Sequence, residues 1–568
     1  MASSSGLPKA GISANWRGRV SWIIVIAGLQ LAALGLLAWS EAGFVPKAAF
    51  LLTWGALNFW WLAWLRRPAA SAALSLAMIV TLILLSRFKH EALLMTANFI
   101  DVMIIDDDTI SFLLKIFPDL ERTVTLVLAL AVPAIGLLWW FDPFRMRLRS
   151  AALGGIACLA GLAILSIAVP SDREEELDPG QYVSKFSRSA AVGAIDLLTR
   201  GLLESDAVAG GRLAAAQACE PPRKLPHIIL ILDESSFDIS VVPGVKAPPG
   251  YQSQFRSFDG RTRSFVIEGA GGPTWYTEYN VLTGLSARSY GRFAEFVTRI
   301  AAGRVGRGLP LALSACGYRT YSLYPWLGAF LSARNFQTTA GIDHFLDAKD
   351  MGTRNVEPDR FYYDAALNVI RRERGEHPLF IFTYLMANHF PWTFRYRPDL
   401  APDWRDLGNT DVGGHRIDEY LRRQAMSAQD YADFVARLRA EFPDEPFLLV
   451  RFGDHQPLFA KHIIDPSLDE AAIGRRILAF DPRFFTTYYA IDSVNFDPVD
   501  LALARDTLDA PYLPLIVLEA AGVPLDPSFA EQKKVLQRCN GLFYLCADGA
   551  EARRFNRLLI DAGLIKRL

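Results

Sequence analysis

Five uncharged apolar runs in the first 170 residues constrain this chain more than anything else in it. Residues 20–39, 48–65, 69–86, 123–141 and 151–169 contain no Asp, Glu, Lys or Arg. At 1.5 Å of helix rise per residue, each run is about long enough to cross a hydrocarbon core roughly 30 Å thick. The first run is longer than a signal-peptide core and has no small-residue cleavage site after it, so it reads as a retained anchor.

Arginine placement orients the runs. Arg17 and Arg19 precede the first, Arg66 and Arg67 follow the second, and Arg145, Arg147 and Arg149 follow the fourth. All fall on one side, which the positive-inside rule makes cytoplasmic. The fifth run then exits on the other side, and everything after Pro170 is expected to be periplasmic or extracellular. The long loop at 87–122 holds apolar Ala92-Leu93-Leu94-Met95 and Val102-Met103-Ile104-Ile105, interrupted by Asp101 and Asp106-Asp107-Asp108. That pattern suits interfacial helices near the outer headgroups.

Beyond residue 170 the pattern changes. Residues 171–220 are charged and then helical in periodicity, and read as linker helices that end at Pro221-Pro222. From 221 to 568, short apolar runs alternate with amphipathic ones. Strands are predicted at 227–232, 264–267, 319–323, 379–385, 447–452 and 513–518, and helices at 360–374 and 428–441, among others. Buried strands alternating with helices imply an α/β domain with a central, mostly parallel sheet covered on both faces.

Lys and Arg number 59 against 60 Asp and Glu, a net charge of −1, so nothing electrostatic points to nucleic acid. Of five cysteines, Cys158 lies in the fifth apolar run. Cys219, Cys316, Cys539 and Cys546 fall in the outer part, an oxidising place if the orientation holds. Cys539 and Cys546 are close enough to close a small disulfide loop. There is no Cys-x-x-Cys pair, which argues against a thiolate zinc site.

Chemistry-bearing residues gather where predicted strands end. Asp454-His455 follows the strand at 447–452, and open α/β proteins put their sites at such C-terminal edges. Glu234 follows the strand at 227–232, where a carboxylate can serve as a hard oxygen ligand. Asp233, Ser235 and Ser236 around it also suit helix caps. Thr274 follows Gly271-Gly272-Pro273 and opens a predicted helix. A hydroxyl there is next to free N–H groups and the positive dipole end, a seat for phosphate, although a plain helix cap has the same signature. Thr277, one turn on, is its rival as a nucleophile. His389, in Asn388-His389-Phe390-Pro391, follows the strand at 379–385 and can bind a phosphoryl oxygen or protonate a leaving group. Arg334 and His462 are further candidates for the same pocket.

Taken together and in this order, these segments resemble the alkaline phosphatase and sulfatase superfamily. Within it they resemble the membrane-anchored phosphoglycerol and phosphoethanolamine transferases, the group that includes lipoteichoic acid synthase. The resemblance covers most of the chain. It implies a five-helix transmembrane bundle at 1–170 followed by a sulfatase-like α/β catalytic domain at 221–568. It also implies one divalent ion, Zn²⁺ or Mn²⁺, held by Glu234, Thr274, Asp454 and His455. Thr274 would be the nucleophile, and His389, Arg334 and His462 would contact substrate. The donor would be a phospholipid headgroup, phosphoglycerol in preference to phosphoethanolamine. The acceptor would be an envelope glycan or lipid, with diacylglycerol released. A membrane-anchored phosphodiesterase that uses water in the second step is the alternative. A non-catalytic sensor on a decayed enzyme fold is a third reading, one that predicts a broken ligand set.

The chain also departs from that group. No Cys-x-Pro-x-Arg-type segment is present, and threonine is no formylglycine precursor, which argues against sulfate ester hydrolysis. Four outer cysteines are few for the phosphoethanolamine branch. Where the synthase branch has a Trp and an Arg, this chain has Phe330-Leu331-Ser332-Ala333-Arg334, with the arginine one position out of register and no tryptophan.

Overall fold

The computed structural model describes residues 11–93, 96–103, 118–169, 179–208, 210–214, 218–221, 223–375, 377–409 and 416–566. Asp106-Asp107-Asp108 and residues 170–178 lie outside these. The chain divides into two compact units, Met1–Thr199 and Arg200–Leu568.

The first unit is helical: Gly11–Ser40, Phe44–Leu65, Pro68–Leu93, Pro118–Phe141, Leu148–Ala168 and Tyr182–Arg200. Among the described residues, four helices are long and apolar enough to cross a membrane: Arg19–Ser40, Phe44–Leu65, Pro68–Glu91 and Leu148–Ala168. The run expected at 123–141 lies in the Pro118–Phe141 helix, whose described apolar part, Thr125–Phe141, is shorter. Many apolar side chains point outward, Trp64 at 73% exposure and Leu153 at 69% among them, a surface that suits a hydrocarbon surrounding. Glycines let helices Phe44–Leu65 and Leu148–Ala168 approach closely: a Cβ on Gly154 would stand 2.6 Å from the Phe59 ring. In the loop after the third helix, residues Phe99–Met103 form one 3₁₀ turn, with Asp101 paired to Lys89 at 2.7 Å.

The second unit is built on one eight-stranded sheet. Its strands are β1 (His227–Asp233), β2 (Arg263–Val266), β3 (Arg319–Leu323), β4 (His344–Leu346), β5 (Leu379–Tyr384), β6 (Phe447–Gly453), β7 (Thr486–Val494) and β8 (Thr507–Asp509). They are ordered β4-β3-β5-β1-β6-β7-β2-β8. All neighbours are parallel except β7, which runs antiparallel to both β6 and β2. β1 and β6 are buried along their whole length, as central strands covered on both faces should be.

Five predicted strands are present, and the sixth is not. Residues Leu513–Ala521 form a helix, with Pro514 in its first turn and Gly522 closing it at φ 73°. A short, wholly apolar run does not reveal its period, whereas proline at the start and glycine at the end are helix signals. Three strands were missed in the sequence: the three-residue β4 and β8, and β7, Thr-Thr-Tyr-Tyr-Ala-Ile-Asp-Ser-Val, whose polar residues hide its burial. The predicted helices at 360–374 and 428–441 correspond to Asp359–Glu373 and Arg416–Glu441. Two disulfides, Cys219–Cys316 and Cys539–Cys546, pair all four cysteines of this unit, and Cys158 is free.

Candidate active site

The centre of the sheet brings three chain segments to one edge. The β1–β6 register pairs Asp233 with Gly453, so the residues that follow, Glu234 and Asp454, leave adjacent strand ends side by side. Gly453 is required there. A Cβ in its place would lie 1.8 Å from the Ser236 carbonyl oxygen. The loop after β5, next to β1 on its other side, carries His389.

Glu234, Asp454 and His455 are all buried, and one ligand atom from each lies within 4.8 Å of the others. His455 Nε2 is 3.4 Å from Asp454 Oδ2 and 3.5 Å from Glu234 Oε1. Two donors each about 2.1 Å from one tetrahedral ion stand about 3.4 Å apart. Asp454 Oδ1 accepts from the backbone N–H of Ser235 and of His455, both at 2.8 Å. Its Oδ2 is buried with no hydrogen-bond partner. His455 Nδ1 donates to the Gln456 carbonyl at 2.9 Å, which leaves Nε2 as the nitrogen facing the carboxylates, the arrangement typical of a metal-binding imidazole.

The charges agree with this geometry. Burial pushes the Asp454 carboxyl up to about 7, and the neighbouring Glu234 charge adds to the rise. Glu234 is raised mainly by burial as well. Burial works against the His455 proton, but the charges of Asp454 and Glu234 outweigh it and its pKa is raised. Two dry carboxylates, an orphaned oxygen and an oriented imidazole form an oxygen–nitrogen donor set that fits one divalent cation.

Thr274 opens the helix Thr274–Thr283, and its hydroxyl lies against both carboxylates, holding down the pKa of each. Thr277 does not share this position. Its hydroxyl is fully buried and donates to the Asp454 carbonyl at 2.7 Å. His389 faces the same cluster: burial drops its pKa to about 4, and the nearby charges of His455 and Asp454 act on it in opposite senses. Its Nδ1 is 2.8 Å from the Phe390 carbonyl oxygen, and its ring stacks on Phe390 at 4.5 Å.

The other two candidates are engaged elsewhere. Arg334 pairs with Asp347 at 2.7 Å and Asp350 at 2.9 Å, and its guanidinium lies over the Phe345 ring. His462 Nδ1 stands 3.4 Å from Glu470 Oε1. None of these contacts reaches Glu234, Thr274, Asp454 or His455.

One layer beneath the cluster escaped the sequence reading. Asp233 is buried and accepts from the Tyr488 hydroxyl at 2.5 Å. Burial raises its pKa, and the charge of Arg451 works against that rise. Arg451 is itself buried on β6, with its guanidinium 3.8 Å from the Tyr431 ring centroid. The adjacent acids Asp233-Glu234 were the available signal. Tyr488 lies on β7, one of the strands that were missed.

Residues 262–471, within the second unit, match the family model described as Sulfatase. A protein of Rhizobium meliloti (strain 1021) named for cyclic beta-1,2-glucan modification is 25% identical over 245 residues, 41% of this chain. That match spans 36% of the relative's length. Similar solved structures include the Streptococcus pyogenes phosphoglycerol transferase GacH in complex with sn-glycerol-1-phosphate. It is 17% identical over 60% of this chain and 85% of that one, with a TM-score of 0.46. The Neisseria meningitidis lipooligosaccharide phosphoethanolamine transferase EptA is 12% identical over 84% of this chain and 95% of its own, also with a TM-score of 0.46. The Listeria monocytogenes lipoteichoic acid synthase LtaP is 15% identical over 53% of this chain and 72% of its own, with a TM-score of 0.40.

Proposed function

We propose that this chain is a membrane-anchored phosphotransferase. It moves a phospholipid headgroup, phosphoglycerol in preference to phosphoethanolamine, through a threonine-bound intermediate onto an envelope glycan or lipid. The observation that carries this reading is the Thr274 hydroxyl lying against Glu234 and Asp454, beside His455. The sulfatase-family match agrees with phospho- or sulfo-ester chemistry, and the lack of a formylglycine precursor favours phosphorus.

Thr274 Oγ attacks the phosphorus of the headgroup diester. A Thr–O–P bond forms, the bond to the diacylglycerol oxygen breaks, and the threonine proton leaves while the departing oxygen gains one. The acceptor hydroxyl then attacks the same phosphorus and frees Thr274. A divalent cation held by Glu234, Asp454 and His455, Zn²⁺ or Mn²⁺, would supply the positive charge that both phosphoryl transfers need. His389 would contact a phosphoryl oxygen or the leaving oxygen, a role its nearness to His455 and Asp454 supports.

The apolar helices suit such a donor. They would hold the domain at the inner membrane, where a lipid that cannot leave the bilayer is at high effective concentration. The paired cysteines support a catalytic domain at 221–568 on the oxidising, periplasmic side of a membrane domain at 1–170. The relative named for cyclic glucan modification supports a glycan acceptor.

An intact-mass spectrum after incubation with mixed phospholipids and metal, without acceptor, tests the proposal beside Thr274→Ala. A phosphoglycerol or phosphoethanolamine adduct on Thr274, absent from the variant, is expected. Diacylglycerol release with no adduct would favour the hydrolase reading. Neither product with either lipid would overturn the donor assignment.

A further inference from the structure

His389 sits on a loop that no strand holds. β5 ends at Tyr384, and residues 386–394 run on without sheet partners. Two helices grip this loop by its backbone instead. Asp359, the first residue of the Asp359–Glu373 helix, accepts from the N–H groups of Met386 and Ala387 on Oδ1, at 3.0 and 2.9 Å. On the other side is Arg423, 1% exposed within the Arg416–Glu441 helix. Its Nη1 donates to the His389 carbonyl at 2.7 Å. Its Nη2 donates to the Pro391 and Phe394 carbonyls at 2.9 and 3.3 Å, and its Nε pairs with Glu419 at 2.8 Å.

The counter-ion of this buried arginine is Glu419, which Arg422 and Arg395 also share. The remaining donors converge on three carbonyls within six residues of irregular chain. Such carbonyls would each cost about 1–3 kcal/mol if buried unpaired. The ring of His389 is fixed in turn by its own Nδ1 contact with the Phe390 carbonyl oxygen, between two of the held positions. The guanidinium therefore sets the backbone, and the backbone sets the ring.

We propose that Arg423 is the positioning residue for His389, aligning its imidazole on the phosphoryl group. This rests on the reading of His389 as a substrate contact. Lysine keeps the charge but is a point donor that does not span three carbonyls and a carboxylate. Arg423→Lys should therefore fold and yet loosen the ring.

The test uses full-length wild type, R423K, His389→Ala and the double variant. The first readout is the rate at which diethylpyrocarbonate modifies His389, mapped by peptide mass. The second is diacylglycerol release from phosphatidylglycerol vesicles with metal added. R423K is expected to label His389 several-fold faster and to lose about tenfold to a hundredfold in kcat, the scale for a misplaced group. In the His389→Ala background the same change should cost less than about twofold, because coupled residues do not add. Unchanged labelling, or losses that multiply in the double variant, would overturn the inference. If wild type released no diacylglycerol, the functional reading would fail while labelling still decided the role of Arg423. Should R423K not fold, Arg423→Gln, which leaves Glu419 paired with Arg422, is read the same way.

Discussion

Thr277 donates its hydroxyl to the Asp454 backbone carbonyl at 2.7 Å, tying the helix that starts at Thr274 to the loop that ends β6. The bond has two consequences. It places the Thr274 end of the helix against the carboxylates, and it takes the rival threonine out of the site.

Thr274 and Thr277 should therefore fail in different ways when replaced. Thr274→Ala is expected to lose about a thousandfold or more in headgroup transfer, as nucleophile removal does, with little change in melting temperature. Thr277→Val should cost about 1–3 kcal/mol of stability, because it strands a buried carbonyl, and should still form the covalent adduct. Thermal melts and intact mass read both. An adduct on Thr277 would reverse the assignment.

Metal removal should destabilise the second unit. Two buried carboxylates with no cation between them repel, and a bound ion relieves that. At about a hundred times its Kd, an ion adds about 2.7 kcal/mol to the stability of the folded state. Chelation is expected to lower the melting temperature, and Zn²⁺ or Mn²⁺ to restore it in wild type but not in Asp454→Asn. Melting unaffected by chelator in metal-loaded protein would count against the site.

Gly453→Ala should be among the most damaging single changes, since its Cβ would fall 1.8 Å from the Ser236 carbonyl oxygen in a fully buried strand. The strand ends must part, and Glu234 and Asp454 part with them. A loss above about 3 kcal/mol, together with weak metal binding, is expected by denaturant melts and metal titration. A stable variant with wild-type metal affinity would show that the close approach is dispensable.

Asp359 should give stability a pH dependence. Burial, with the Asp233 charge adding to it, pushes its carboxyl up to about 7, while Ser427 and the Ala387 N–H pull the other way. An unfolded aspartate titrates near 3.9. A raised folded pKa means that the stability Asp359 contributes is complete below about pH 4 and is lost as pH rises through about 7. Asp359→Asn keeps an oxygen for the Met386 and Ala387 N–H groups and does not ionise. The melting temperature of wild type should drop relative to this variant between pH 5 and 8; parallel curves would refute it.

The apolar runs, five of the eight strands, and the residues Glu234, Thr274, His389, Asp454 and His455 were legible in the sequence. They were legible because the information is local: a run long enough for a membrane, an apolar strand, a chemical residue where it ends. Tertiary structure decided the rest. Sheet order put β1 between β5 and β6, so that segments more than 200 residues apart supply one cluster of donors. The same packing gave β7 a buried place despite its polar residues, since burial depends on what covers a segment and not on its own composition. It also committed Arg334 to Asp347 and Asp350, and His462 to the neighbourhood of Glu470. Which partner a side chain finds is a matter of distance in space, and distance in sequence does not report it.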